Sequence, residues 1–240
     1  MNAIADELGF LVLYPEQSVS ANMARCWNWH WPANQKRGSG EPAMIATLTR
    51  HVLALCKGNP ARVYIAGISA GGAAAAIVAA AYPDLYVAVG VHSGLSRGTI
   101  STLSQARLAM RKGTGSNPAD AAGGAAQPPP TIVFHGDHDT TVHPSNADGF
   151  VHRLRQFSGP ALAVQTETGR SERGRDFTRT TYRPGAGDVL LETWMVHGTG
   201  HAWSGGKVFG SYTDTKGPDA CREMARFFLA RRQKAATTLR

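Results

Sequence analysis

Cysteine is scarce in this chain of 240 residues: Cys26, Cys56 and Cys221 are all there is. An odd count at no metal-like spacing excludes a cysteine-built metal centre, and Cys56 and Cys221 fall in helical patterns where a thiol packs as a small core or half-buried residue. His30, His51, His138, His143, His152 and His197 show no ligand pattern with a third partner, so no metal is expected. No run of eighteen apolar residues occurs, which excludes a helical membrane span. Asp6 and Glu7 stand where an export signal needs a basic start and an apolar middle, so no signal peptide is visible. A net charge of +8 invites a nucleic-acid reading. The arginines between Arg153 and Arg183 nevertheless interleave with Glu167, Glu172 and Asp176, and no nucleic-acid motif accompanies them. A solvated basic face accounts for the charge, and no nucleic-acid partner is expected. No repeat and no composition break divides the chain, so residues 1–240 read as a single domain, whose 42% hydrophobic content suffices for a sizeable core.

What is present is punctuated by glycine. Arg62-Val63-Tyr64-Ile65-Ala66 has the β-branched and aromatic content of a buried strand, and Gly72 to Ala81 is a run of small residues that reads as a closely packed helix. Between them stands Gly67-Ile68-Ser69-Ala70-Gly71. Strand, Gly-x-Ser-x-Gly and helix together predict a sharp turn holding Ser69 in a strained backbone conformation. Gly67 and Gly71 are expected to be required because a Cβ at either would collide with the neighbouring strand or helix. The helix beginning just after Ser69 offers free N–H groups, that of Ala70 first, to an oxyanion.

A serine nucleophile needs a base and an orienting acid. Downstream, the apolar strand Thr131 to Phe134 runs into His135-Gly136-Asp137-His138-Asp139-Thr140-Thr141-Val142. Asp137 and Asp139 are both candidates, placed where open α/β sheets present ligand-facing groups, and Asp139 sits deeper in the turn, just before Val142 returns to apolar packing. Further on, a strand-like stretch from Val189 to Val196 ends in His197-Gly198-Thr199-Gly200-His201-Ala202-Trp203, whose glycines form a loop able to lift His201 toward the serine. Chain order Ser69, Asp139, His201 is the order of nucleophile, acid and base found in α/β-hydrolases. No cofactor is needed by such a triad.

The remaining pattern predicts a core strand at Phe10–Tyr14, a long irregular stretch from Gln17 to Gly40, and a helix from Glu41 to Lys57 with apolar residues in a 3.6-residue period. A strand at Tyr86–Val91, a helix at Thr99–Lys112 and a mobile Gly-, Ala- and Pro-rich loop over 113–130 follow. A helix at Asn146–Phe157, strands at Ala161–Thr166, Thr178–Arg183 and Val189–Val196 (the last two a hairpin), and a closing helix at Asp219–Lys234 complete it. Strands alternating with helices imply a mainly parallel central sheet with helices on both faces. Trp27, Trp29 and Trp31 alternate, so on an extended segment they would share one face. Trp27 reads first as core packing and Trp203 as packing for the histidine loop. Both are also candidates for the flat apolar surface that would bind an ester substrate.

Three segments resemble the esterase family of poly(3-hydroxybutyrate) depolymerases, α/β-hydrolases related to feruloyl and acetylxylan esterases. They are Gly67-Ile68-Ser69-Ala70-Gly71-Gly72, His135-Gly136-Asp137-His138-Asp139-Thr140-Thr141-Val142-His143-Pro144, and Gly200-His201-Ala202-Trp203-Ser204-Gly205-Gly206. Phe10 to Gln17 and Cys26-Trp27-Asn28-Trp29 look like that family's early segments. The resemblance implies an α/β-hydrolase fold, Ser69 as nucleophile, Asp139 as acid and His201 as base, with His135 and Asp137 as structural neighbours. It implies a small-molecule or polymeric ester as substrate and an extracellular setting, with a cytoplasmic one as the alternative. The family's early His-Gly-Cys segment supplies an oxyanion N–H and a cysteine partner for the position of Cys26. That segment has no counterpart before Met1-Asn2-Ala3-Ile4-Ala5-Asp6-Glu7-Leu8-Gly9, which looks like the second half of a helix stopped by Gly9. The expected fold is therefore an N-terminally truncated α/β-hydrolase whose exposed sheet edge, beside Phe10–Tyr14, invites self-association. A serine esterase is the reading these residues support, against a non-catalytic remnant that binds on the same fold. A protease or an acyltransferase would use the same residues.

Overall fold

The computed structural model describes residues 1–98, 100, 102–113, 127–159, 162–185 and 187–233. In chain order its elements are α1 (Asn2–Leu8), α2 (Gly40–Leu55), β1 (Tyr64–Ile68), α3 (Ala70–Ala81), β2 (Ala88–His92), α4 (Leu103–Lys112), β3 (Thr131–Gly136), α5 (Asp148–Ser158), β4 (Leu162–Arg170), β5 (Asp176–Pro184), β6 (Leu191–Val196), β7 (Trp203–Ser204), β8 (Thr213–Asp214) and α6 (Ala220–Leu229). Six strands form one sheet in the order β1-β2-β3-β6-β5-β4. β1, β2, β3 and β6 are parallel, while β5 and β4 return antiparallel at one side.

The parallel strands are continuous apolar runs because helices cover both faces. Successive side chains of β3 point to opposite sides: Val133 packs with α2, α3 and α5, and Ile132 and Phe134 with α6. Helix α6 offers one stripe, Ala220, Met224, Phe227 and Phe228, at helical spacing. It lies so close that a Cβ on Gly90 would come within 2.7 Å of the Met224 Sδ. The packed helix α3 is small-residue on all sides because it is buried between the sheet and a second cluster that includes Trp29, Leu95 and Ala106. This arrangement brings the C-terminal ends of β1, β2, β3 and β6 to one rim of the sheet.

Several expectations are corrected. Phe10–Tyr14 forms no strand. Gly9 stops α1 in the left-handed region (φ 71°), the Phe10 N–H turns back to Ala5 O, and the Tyr14 hydroxyl donates to Asn2 Oδ1. The segment is thereby held along α1, and α1 is tied to α6 by the Glu7–Arg222 ion pair. Leu11 and Tyr14 are exposed. The three alternating tryptophans do not share a face, because a turn at Trp29–His30 interrupts the segment: Trp29 is buried, Trp27 half-buried and Trp31 exposed. The β5–β6 hairpin forms as expected, and the Ser171–Arg175 turn adds a second, with β4 paired along its length to β5. Most of the 113–130 stretch, residues 114–126, lies outside the described residues. Of the arginines between Arg153 and Arg183, Arg170 pairs with Asp176, Arg175 with Asp214, and Arg179 with Glu167 and the buried Glu192; Arg226 on α6 also holds Glu192, together with Glu223. Phe227→Ala should lower unfolding stability by about 3–5 kcal/mol, read as a fall in the denaturant midpoint with an unchanged slope.

Candidate active site

Ser69 sits at the tip of the β1–α3 turn with φ 56° and ψ −124°, a conformation a non-glycine residue holds only when its surroundings over-determine it. Its N–H donates to His92 O at 2.9 Å and its carbonyl accepts from Ala73 N–H at 3.0 Å. A Cβ on Gly67 would lie 2.3 Å from the Gly71 backbone, so glycine is obligatory there. The expectation for Gly71 is corrected. A Cβ at Gly71 would meet only Trp27 Cδ1 at an ordinary 3.7 Å, and the second tight approach falls on Gly72, against Gly67 O, Val91 and His92 O. Ala70 opens α3, and among the described residues its N–H has no acceptor.

Asp139 lies in the turn after β3 with its side chain fully buried. Its Oδ1 accepts from Thr141 N–H (2.9 Å) and Val142 N–H (2.8 Å), and its Oδ2 accepts from His201 Nδ1–H at 2.7 Å. Burial alone would raise this carboxyl, but the bonds from His201 and the Val142 N–H outweigh it and hold the group below the usual carboxylate range. His135 packs against the same carboxylate at 3.5 Å and donates Nε2–H to Val142 O. Burial pushes its imidazole down, so it stays neutral with Nδ1 buried and unpartnered. Asp137, two residues from Asp139, turns the other way: it accepts from His197 Nδ1–H (2.9 Å) and Gly198 N–H (2.7 Å) at the start of the histidine loop.

The loop that carries His201 is pinned on three sides. Thr199 O accepts from His138 N–H, and a Cβ on Gly136 would come within 2.1 Å of that oxygen. Asp214 on β8 accepts from Thr199 Oγ1 (2.8 Å) and takes both arms of Arg175, whose other guanidinium nitrogen reaches Gly198 O. Ser204 N–H donates to His92 Nε2 at 3.0 Å. Trp203 stacks on the His92 ring, and Trp27 lies half-buried beside Gly71. Asp139 and His201 are thus brought into direct contact, and Ser69 reaches the same rim. The Ser69 hydroxyl and His201 Nε2 have no hydrogen-bond partner among the described residues. No cluster of His, Cys, Asp and Glu suited to a metal and no helix fit to cross a membrane occurs among the described residues. The three cysteines are free.

A family profile described as "Esterase PHB depolymerase" matches residues 1–176. The chain belongs to this esterase family. It is 29% identical over 208 residues to the poly(3-hydroxyalkanoate) depolymerase C of Paucimonas lemoignei, covering 83% of this chain and 49% of that protein. It is 28% identical over 211 residues to the feruloyl esterase B of Thermothelomyces thermophilus, covering 82% of this chain and 69% of the relative. Among solved structures, the acetyl xylan esterase from Aspergillus awamori superposes with a TM-score of 0.63 at 22% identity, over 83% of this chain and 75% of that one. That likeness supports the α/β-hydrolase fold. The chain spans about half the length of the first of these relatives.

In this chain, sequence reasoning missed His92, Arg175 and Asp214. A polar residue ending a buried parallel strand was the available signal for His92; Arg175 and Asp214 gave none, since their pairing spans 39 residues. The Asp214 carboxyl is held below its ordinary range because bonds from Arg175 and Thr199 outweigh burial. A lowered folded pKa contributes stability above the unfolded value, about 3.9, and loses it as pH falls through the folded one. Asp214→Asn should therefore melt below the parent at pH 7, and the gap should close as thermal scans move toward pH 2.

Proposed function

We propose that the chain is a serine esterase that cleaves carboxylic esters through an acyl-enzyme on Ser69. The observation that carries this is the 2.7 Å bond from His201 Nδ1–H to a fully buried Asp139, set at the strand ends beside a serine with positive φ. With its Nδ1 proton held by Asp139, His201 keeps the Nε2 lone pair free to accept the Ser69 proton as Oγ attacks the ester carbonyl. The tetrahedral oxyanion takes the Ala70 N–H, aided by the positive end of α3. Collapse expels the alcohol, which receives its proton from His201, and leaves the acyl group on Ser69. Water, deprotonated by His201, then attacks the acyl group, and release of the acid regenerates the serine.

The substrate class follows from what the relatives' names have in common: an ester of a hydroxyalkanoate polymer, of ferulate or of acetylated xylan. Trp27 and Trp203 supply flat apolar surface flanking the serine and the histidine, suited to the acyl side of such an ester. A non-catalytic binding role on the same fold has no use for a buried carboxylate aligned on an imidazole.

Short-chain p-nitrophenyl esters test the reading. Ser69→Ala should lower the rate by several orders of magnitude. Asp139→Asn should lower it by about 10⁴, the size seen when a triad aspartate becomes asparagine. Asp137→Asn should cost far less, since it anchors His197 and Gly198 instead of His201. An undiminished Ser69→Ala protein would overturn the nucleophile, and the reverse ranking of the two aspartates would move the acid role to Asp137.

The partner surface is the outer edge of β1. Among the described residues β1 has a single strand neighbour, and Tyr64-Ile65-Ala66-Gly67-Ile68 carries no charge to guard it. The opposite edge, β4, carries Glu167 and Arg170. The β1 edge pairs with a second copy, so size-exclusion chromatography should show mass rising with protein concentration, and Ala66→Lys, at the exposed position of β1, should shift the protein toward monomer. A concentration-independent monomer would exclude this contact.

A further inference from the structure

Within the esterase reading, nothing yet described sets the separation between nucleophile and base. Ser69 stands on the β1–α3 turn and His201 on the loop after β6, and β2 and β3 lie between these strands in the sheet. One residue at the end of β2 touches both. The backbone oxygen of His92 accepts the Ser69 N–H at 2.9 Å, and its ring Nε2 accepts the Ser204 N–H at 3.0 Å, three residues after His201. We propose that His92 is a positioning residue that couples the nucleophile turn to the histidine loop, its backbone fixing one and its side chain the other.

The ring is built for this. It is fully buried and stacks with Phe134 (centroids 5.8 Å apart, planes 14°) and with Trp203 (5.1 Å, 27°), so close packing holds its orientation. A backbone N–H can only donate, so Nε2 must be the bare nitrogen and the single proton must lie on Nδ1, 3.2 Å from Ser93 Oγ. Burial pushes the imidazole down to about 3, with the neighbouring His135 and His201 adding to the shift. The acceptor is therefore present across the neutral range. Ser93 in turn is held at φ 46° with its N–H on Phe134 O, which anchors the ring to β3. Loss of the acceptor would leave the Ser204 N–H buried without a partner and remove the tie between the β2 end and the stretch that carries His201, whose other ties run to β8 and to the turn after β3. A displacement of about 1 Å between reacting groups costs about 10²-fold in rate.

The inference rests on the esterase reading, and the test separates the two. Three proteins are compared: the parent, His92→Phe, which keeps the stacked ring without the acceptor, and His92→Gln, whose Oε1 can reach the place of Nε2. Denaturant unfolding confirms that each is folded, p-nitrophenyl acetate gives kcat and KM, and one-dimensional proton spectra report the far-downfield resonance of the His201 Nδ1–H bonded to Asp139. His92→Phe should lose about 10–100-fold in kcat with KM within about twofold, and its downfield resonance should broaden or vanish. His92→Gln should recover most of both. A folded His92→Phe with parental kcat and an unaltered resonance would overturn the proposal, as would a folded His92→Gln no better than His92→Phe. Activity that survives Ser69→Ala would instead overturn the esterase reading, and the resonance would still decide the role of His92.

Discussion

A carboxylate cannot stay ionised in a dry interior unless donors replace the water it has lost, and Asp139 meets that demand at the centre of this molecule. Two of its donors, Thr141 N–H and Val142 N–H, come from its own turn. The third must arrive from a chain segment 62 residues away, and it is His201. The turn alone therefore leaves the carboxylate under-satisfied, and the histidine loop is drawn in to complete it. Much of the rim architecture serves this one contact: Gly136 lets the loop approach β3, Asp137 and Arg175 hold its first residues, Asp214 holds Thr199, and His92 holds Ser204.

What was legible in the sequence follows from how local each signal is. The turn at Ser69 was readable because a strained φ needs glycine close by in the chain, and glycine leaves a visible mark. Even there the mark was misread by one residue: Gly67 is confined by Gly71, but it is Gly72, not Gly71, whose own Cβ position is crowded. Buried strands and the α6 stripe were readable from periodicity alone. Asp137 and Asp139 were separable from the residues only by depth in the turn, since the side each takes is set by contacts to residues 60 and 62 positions downstream. Phe10–Tyr14 has a strand's composition and still forms none. β-propensity describes a fit to a paired, half-buried surface, and this segment is tethered along α1 with its leucines and tyrosine in solvent. The pairing of Arg179 and, from α6, Arg226 on the buried Glu192, which also takes the Trp194 indole N–H, left no mark in the sequence because the partners lie 13 and 34 residues away.

Beside the His201–Asp139 pair, a second imidazole and carboxylate stand in line with a hydroxyl, and the contrast shows what a triad requires. Thr178 Oγ1 lies 2.9 Å from His197 Nε2, and His197 Nδ1 lies 2.9 Å from Asp137 Oδ2. The distances alone would suit a nucleophile, a base and an acid. The settings differ. Thr178 is in the middle of β5 and paired on both sides, to Thr168 and to Met195, so no strained turn lifts its hydroxyl and no helix begins beside it. An alkoxide's attack there would generate an oxyanion with no free N–H to receive it, whereas Ser69 precedes the open first turn of α3. The carboxylates differ as well: the Asp137 side chain is about a third exposed and that of Asp139 not at all. Water screens the first pair and leaves it a structural tie, while the second keeps its full influence on the imidazole. His197, with both ring nitrogens engaged, anchors the loop; His201 keeps Nε2 unengaged, three residues before the Ser204 N–H that His92 holds.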